Sequence, residues 1–244
     1  TGRTNSYKYL VMELLGPDLG RLRRSLKCKH FSLPTALRIC LETIDRLENL
    51  HSTGWLARDV KAPNFTIGTN PFCEEIYMLD FGFARKFREA DGTLVKPREK
   101  AALVGTFQYA PLSSHHHQEQ APKDDMESWF YMAIEIIKGP LPWGHFKEYK
   151  DMETYKEAIR GEKRKDFLDG VPREFDDILA SIDNTKIFEL PDYDFFRRQI
   201  YAIANRKNID LEAPYDWQRD PEIARRAPFV GDLGESNEVS ARLA

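Results

Sequence analysis

The sequence predicts a mostly helical body interrupted by a small strand-and-loop insert, and three stretches carry that prediction. Leu37, Leu41, Ile44, Leu47 and Leu50 recur at spacings of 4, 3, 3 and 3, which lines one face of an α-helix. Residues 126–137 are apolar on every side, the pattern of a helix buried along the axis of a larger domain. Between them, 55–82 reads as non-helical, with two short β-like pieces at 65–67 and 76–79. An apolar share of 41% against 31% charged supplies a sizeable core and excludes the composition of a disordered chain.

Taken in order, residues 7–15 form an apolar run that predicts a strand, stopped by Gly16-Pro17. A short helix is expected over 19–26. Its Arg21, Arg23 and Arg24, with Lys27 and Lys29 beyond, read as a solvated basic face. The helix carrying Leu37 to Leu50 has Ser32 as its N-cap, Pro34 in its first turn and Gly54 as its stop. Residues 85–123 form a long polar loop punctuated by Gly92, Pro97, Gly105, Pro111 and Pro122, and a loop of that length in a compact domain is usually functional or disordered. Gly139-Pro140 ends the buried helix. Three amphipathic helices follow at 149–160, 173–183 and 192–205, and the charged stretch 218–244 reads as a polar tail leaving the domain.

The 244 residues carry 36 Lys+Arg against 39 Asp+Glu, a net charge of −3 that gives no bulk drive toward nucleic acid or membrane. No apolar run approaches 18 residues, so no membrane-spanning helix is expected. Cys28, Cys40 and Cys73 form no C-x-x-C pair, which points to a reducing compartment, cytoplasmic or nuclear. His115-His116-His117 reads as a solvated loop, because adjacent side chains do not easily face one ion. The start at Thr1, without Met or a signal-like stretch, suggests a fragment.

The chemistry concentrates in Arg58-Asp59-Val60-Lys61-Ala62-Pro63-Asn64 and in Leu79-Asp80-Phe81-Gly82, with Asp80 21 residues after Asp59. Two adjoining turns thus offer a carboxylate, an ammonium, an amide and a second carboxylate. Phosphoryl transfer needs that set: one carboxylate orients the attacking hydroxyl, a cation stabilises the moving phosphoryl, and hard oxygens hold Mg²⁺. A loop with a satisfied Asp, or a small-molecule phosphotransferase, would share parts of it.

Six segments extend the match: VMELLGPDL (11–19), ARDVKAPNF (57–65), LDFGFAR (79–85), GTFQYA (105–110), DDMESWFY (124–131) and LPW (141–143). Together they resemble the casein kinase 1 superfamily of protein kinases. YMLDFGFAR and DLGRLRRSL look most like its tau-tubulin kinase branch. The resemblance runs from Tyr9 to Trp217 and implies a protein kinase-like α+β fold. Residues 1–217 would supply the hinge and a predominantly α-helical C-terminal lobe, with small strand pairs around the catalytic loop. It implies a Ser/Thr protein kinase using ATP and Mg²⁺ on protein substrates, monomeric, with no nucleic acid or membrane partner.

Carried onto this sequence, Asp59 resembles the catalytic base, Lys61 the γ-phosphate contact, and Thr106 the threonine that bonds toward both. Asn64 and Asp80 match the Mg²⁺ ligands. Met12, Glu13 and Leu15 resemble the hinge, with Met12 as gatekeeper, and Thr66 stands on the floor of the adenine pocket. Asp125 resembles the buried aspartate that caps the catalytic-loop backbone.

The chain also departs from the family. A glycine-rich loop, a strand lysine and its glutamate are not found ahead of the hinge-like run. Ala57 replaces a histidine that would pack under Phe81. Thr66 is polar where an apolar residue is usual, and Gln108 replaces an arginine that helps bind anionic substrates. Arg85, Lys86 and Arg88 are candidates to neutralise the activation segment. A catalytically impaired pseudokinase acting as a scaffold is the alternative reading.

Overall fold

The computed structural model describes residues 1–70, 74–187 and 189–227. Strands β1 (Gly2–Arg3) and β2 (Lys8–Tyr9) pair antiparallel. The strand expected over 7–15 is therefore reduced to two residues. Leu10, Val11, Met12 and Leu14 are exposed, and 10–15 pair with no strand among the described residues. The apolar pattern is real but has no neighbouring ladder there. The chain docks only at its end, where Gly16 N donates to Ile67 O at 2.8 Å.

Helix α1 (Leu19–Ser25) is capped by Asp18, whose carboxylate accepts from Arg21 N at 2.8 Å. Its expected basic face is divided. Arg23 is buried and pairs with Glu135 at 2.8 Å, because the helix lies flat on the core. Helix α2 (Leu33–Ser52) buries Leu37, Ile44 and Leu47 as the spacing requires. Ser32 occupies the N-cap position, yet its hydroxyl donates to Asp216 at 2.6 Å and not into the helix. Gly54 follows with φ 83°, and a Cβ there would lie 2.4 Å from Arg88 O. Only glycine lets that backbone come so close.

Strand β3 (Trp55–Leu56), a 3₁₀ turn (Ala62–Asn64), β4 (Phe65–Ile67) and β5 (Ile76–Met78) form the insert. β4 and β5 pair antiparallel with Thr66 opposite Tyr77. The expected long loop is partly structured: β6 (Arg85–Lys86) pairs with β3, and α3 (Leu112–His115) is a single helical turn. These pieces are too short to impose a readable period on the sequence.

Helix α4 (Pro122–Lys138) is the axis, buried at every position from Asp124 to Ile137. It packs on α2 and α7 (Glu174–Asn184), while α8 (Tyr193–Lys207) covers α2. α5 (Tyr149–Ala158) and α6 (Arg164–Leu168) lie between α4 and α7 in the chain. Trp143 fills the space among Tyr131, Tyr155 and Phe167, and Trp129 stacks on Phe196 while its indole N–H donates to Thr43 Oγ1 at 2.9 Å. Burying such side chains contributes roughly 1.5–3 kcal/mol each.

The chain does not leave the domain after Trp217. Helices α9 (Asp216–Arg219) and α10 (Pro221–Arg226) follow, Ser25 Oγ donates to Ile223 O at 3.2 Å, and Ala227 is buried. The rest of the expected tail, 228–244, lies outside the described residues, as does Cys73. Cys28 is exposed and Cys40 buried, both as free thiols. Among the described residues no helix is long and apolar enough to cross a membrane.

Candidate active site

The segment 57–64 is held from beneath by one carboxylate in the first turn of α4, where the helix dipole favours a negative charge. Asp125 accepts from Ala57 N at 2.7 Å and Arg58 N at 2.8 Å. His51, at the end of α2, sits 2.9 Å from the same carboxylate through Nε2, and its Nδ1 lies 2.5 Å from Tyr193 Oη. All of these groups are buried except the half-buried Arg58, whose φ of 63° is unusual for a residue with a side chain. The Asp125 contacts offset that strain and aim the next residue upward.

That residue is Asp59, only 6% exposed. Its Oδ1 accepts from Thr106 N at 2.8 Å, and its Oδ2 lies 3.2 Å from Lys61 Nζ and 3.3 Å from Asn64 Nδ2. Lys61 also donates to Thr106 Oγ1 at 2.7 Å. Gly105, with φ 87°, makes this approach possible, since a Cβ there would sit 2.5 Å from Arg58 O. The 45-residue gap between Lys61 and Thr106 thus closes into one hydrogen-bonded cluster.

Asn64 Nδ2 donates to Asp59 O at 2.8 Å, which fixes the amide and leaves its oxygen as a ligand. Leu79 N donates to Asn64 O at 2.8 Å and so brings Asp80 alongside. Asp80 has φ 60°, is exposed, and accepts from Gly82 N at 3.0 Å. An amide oxygen and an exposed carboxylate are hard donors that fit a magnesium ion.

The hinge-like residues stand apart from this cluster. Met12 and Glu13 are exposed and Leu15 half-buried, and the run reaches β4 through a bridge between Asp18 and Thr66. Thr66 is buried, and its hydroxyl has no partner among the described residues.

Sequence reasoning missed several contributors. His51 and Tyr193 carry no motif and meet Asp125 only through folding. Glu119 is another: it takes Arg98 at 2.7 Å and Arg85 at 3.2 Å, close to Arg58, whose guanidinium donates to Phe83 O at 2.7 Å. Burial, then Arg98 and Arg85, push Arg58 below its ordinary range, against the pull of Glu119 and Asp125. Burial pushes Glu119 up, but hydrogen bonds from Arg98 and the nearby charges bring it down to about 2. Its folded value is depressed, so its stabilisation is present above pH ~4.5 and is lost as pH falls toward 2. A melting-temperature titration over that window should fall more steeply for the native chain than for Glu119→Gln, and parallel curves would contradict the pairing. Of the other candidates after Phe81, Lys86 pairs with Glu89 and Arg88 lies over the Phe87 ring.

The three adjacent histidines also differ from a uniformly solvated loop. His115 is buried against α5, His116 is exposed beside Glu157 at 3.1 Å, and the half-buried His117 turns away with φ 55° toward Ala101 O.

Comparison with known proteins agrees with this geometry. A model of the protein kinase domain matches residues 1–186. The chain is 50% identical over 247 residues to serine/threonine-protein kinase spe-6 of Caenorhabditis elegans, covering 99% of this chain and 65% of that protein. It is 34% identical over 218 residues to a probable serine/threonine-protein kinase of Dictyostelium discoideum, covering 89% of this chain and 43% of that protein. The chain thus spans less than two thirds of the length of either relative. A domain match across most of the chain, on a helical body that carries the Asp59–Lys61–Asn64–Thr106 cluster, establishes that the chain belongs to the protein kinase domain family.

Proposed function

We propose that the protein is a Ser/Thr protein kinase of the casein kinase 1 superfamily, nearest its tau-tubulin kinase branch, acting on protein substrates with ATP. The observation that carries the reading is the Asp59–Lys61–Asn64–Thr106 cluster, closed by direct hydrogen bonds. In this reading Asp59 accepts the proton of the incoming Ser or Thr hydroxyl at its carboxylate, whose direction is set by Thr106 N. Lys61 supplies positive charge to the transferring phosphoryl group, and Thr106 holds that ammonium in place. Asn64 and Asp80 would hold magnesium, which supplies charge neutralisation for the nucleotide phosphates when bound. Met12, Glu13, Leu15 and Thr66 would border the adenine. The protein would act as a monomer in the cytoplasm or nucleus, without nucleic acid or membrane partners.

A catalytically impaired scaffold is the competing reading. Ala57 is buried while the Phe81 ring is 51% exposed, which favours a loosened D-F-G segment. Phosphate transfer to casein by the full natural chain decides between them, with Asp59→Asn and Asp80→Ala as controls. Transfer that the controls lose supports the kinase; equal background in all three refutes it.

Gln108 refines the substrate class. Its amide lies 3.4 Å from Glu135 Oε1, a buried carboxylate that also takes Arg23 and Tyr109. A neutral amide beside a carboxylate makes no charge-assisted contact with phosphate. Peptides with and without an upstream phosphoserine should differ in kcat/KM by less than about threefold. A preference above about tenfold, the size expected of a charge-assisted hydrogen bond, would sink the idea.

A further inference from the structure

Lys156 on α5 is fully buried, and nothing in the phosphoryl-transfer cluster uses it. A buried ammonium is costly unless each proton finds an acceptor. Here each does: Lys156 Nζ donates to Phe107 O at 2.9 Å and to Ala110 O at 2.7 Å, and lies 3.2 Å from His115 Nε2. Three donors meet three acceptors. The rings of Tyr131 and Trp143 flank the charge at 5.1 and 5.6 Å.

The charged and titratable groups facing it are His115 of α3, Glu127 and Tyr131 of α4, and Arg160 in the turn after α5. Burial, then Lys156, hold His115 neutral by pushing it down to about 3, and in the Nδ1–H tautomer its Nε2 accepts. Glu127 pairs with Arg160 at 3.0 Å and accepts from Leu112 N at 3.0 Å. The backbone of 107–112 is therefore gripped at Phe107 and Ala110 by the buried Lys156 amine, which burial pushes down to about 7 against the pull of Glu127, and at Leu112 by the Glu127 carboxylate.

This gripped segment begins one residue after Thr106, whose amide holds the Asp59 carboxylate. A peptide hydroxyl that reaches Asp59 must lay its flanking residues against the chain that continues from Thr106. The Phe107 ring stands there, 6.5 Å from the partly exposed Tyr149. We propose that Lys156 is the positioning residue of segment 107–110, and that it sets the affinity for the acceptor peptide without touching nucleotide or the reacting atoms. This rests on the kinase reading above.

The test is Lys156→Met in the full natural chain, beside Lys156→Gln, which keeps two donors for the two carbonyls. Lys156→Met leaves the Phe107 and Ala110 carbonyls without their donor, so its Tm should fall by several degrees, and transfer and exchange are read well below its melting point. Its KM for peptide should rise by about tenfold or more, the size of a lost charged hydrogen bond, with kcat and the KM for ATP within about twofold. Lys156→Gln should recover part of the loss. Backbone amides within 107–112 should exchange hydrogen at least about tenfold faster in Lys156→Met, while those of 59–66 stay as they were. Peptide and ATP constants that move together would overturn the proposal, as would unchanged exchange at 107–112. If the native chain transfers no phosphate, the kinase reading falls; the exchange experiment still decides whether the clamp exists.

Discussion

Asp59→Asn should lower the rate of phosphate transfer by about 10²–10⁴-fold, the contribution expected of a positioned general base. The substitution is nearly isosteric, and an amide oxygen can still accept from Thr106 N, which lies 2.8 Å from the native carboxylate. The loop keeps its shape. What disappears is the negative charge that balances Lys61 at 3.2 Å and that, in the proposed mechanism, takes up the hydroxyl proton. The expected signature is a large fall in single-turnover transfer with little change in nucleotide binding, together with a Tm shift of only a few degrees. A rate loss smaller than about tenfold would mean that the proton leaves by another route.

Asp125→Ala should be the most damaging change to stability that also disables the site. It strips the acceptor from Ala57 N, Arg58 N and His51 Nε2, all grouped around one carboxylate that is 1% exposed. Orphaned buried donors cost roughly 1–3 kcal/mol each, so a total of about 3–5 kcal/mol is expected after partial relaxation. For a domain of this size that corresponds to a Tm lowered by about 6–20 °C. The local consequence is sharper. Arg58 holds a left-handed backbone at φ 63° only because both neighbouring amides are tied down. Once released, the loop turns Asp59 out of line, and transfer should fall even below the melting point. Calorimetry and a transfer assay at low temperature check the two effects separately; a Tm within 3 °C of the native value would contradict the shared-acceptor argument.

Much of this site was legible because its chemistry lies in two short runs. Asp59, Lys61 and Asn64 share one turn, and Asp80 follows on the next strand pair. The axial helix was equally plain, since residues buried on every face need no periodic pattern. What escaped was assembled from distance. Arg23 meets Glu135 across 112 residues, and His51 meets Tyr193 across 142. Local spacing is silent about such pairs, so the pattern reads Arg23 as part of a solvated face and gives no sign of Tyr193. α6 is only five residues long, too brief to show a period, and the run over 10–15 has the composition of a strand but pairs with none among the described residues. Composition cannot report a missing neighbour.

The hydrogen bond between His51 and Tyr193 also bears on the order in which the molecule is made. The loop that presents Asp59 is tied to Asp125, and Asp125 shares His51 with a tyrosine at the head of α8. A ribosome must therefore release more than a hundred residues beyond Asp59 before the loop can take its final shape. Long-range ties of this kind form late, because loop closure must precede them. A nascent chain arrested before α8 would hold Asp59, Lys61 and Asn64 without the completed scaffold that aims them.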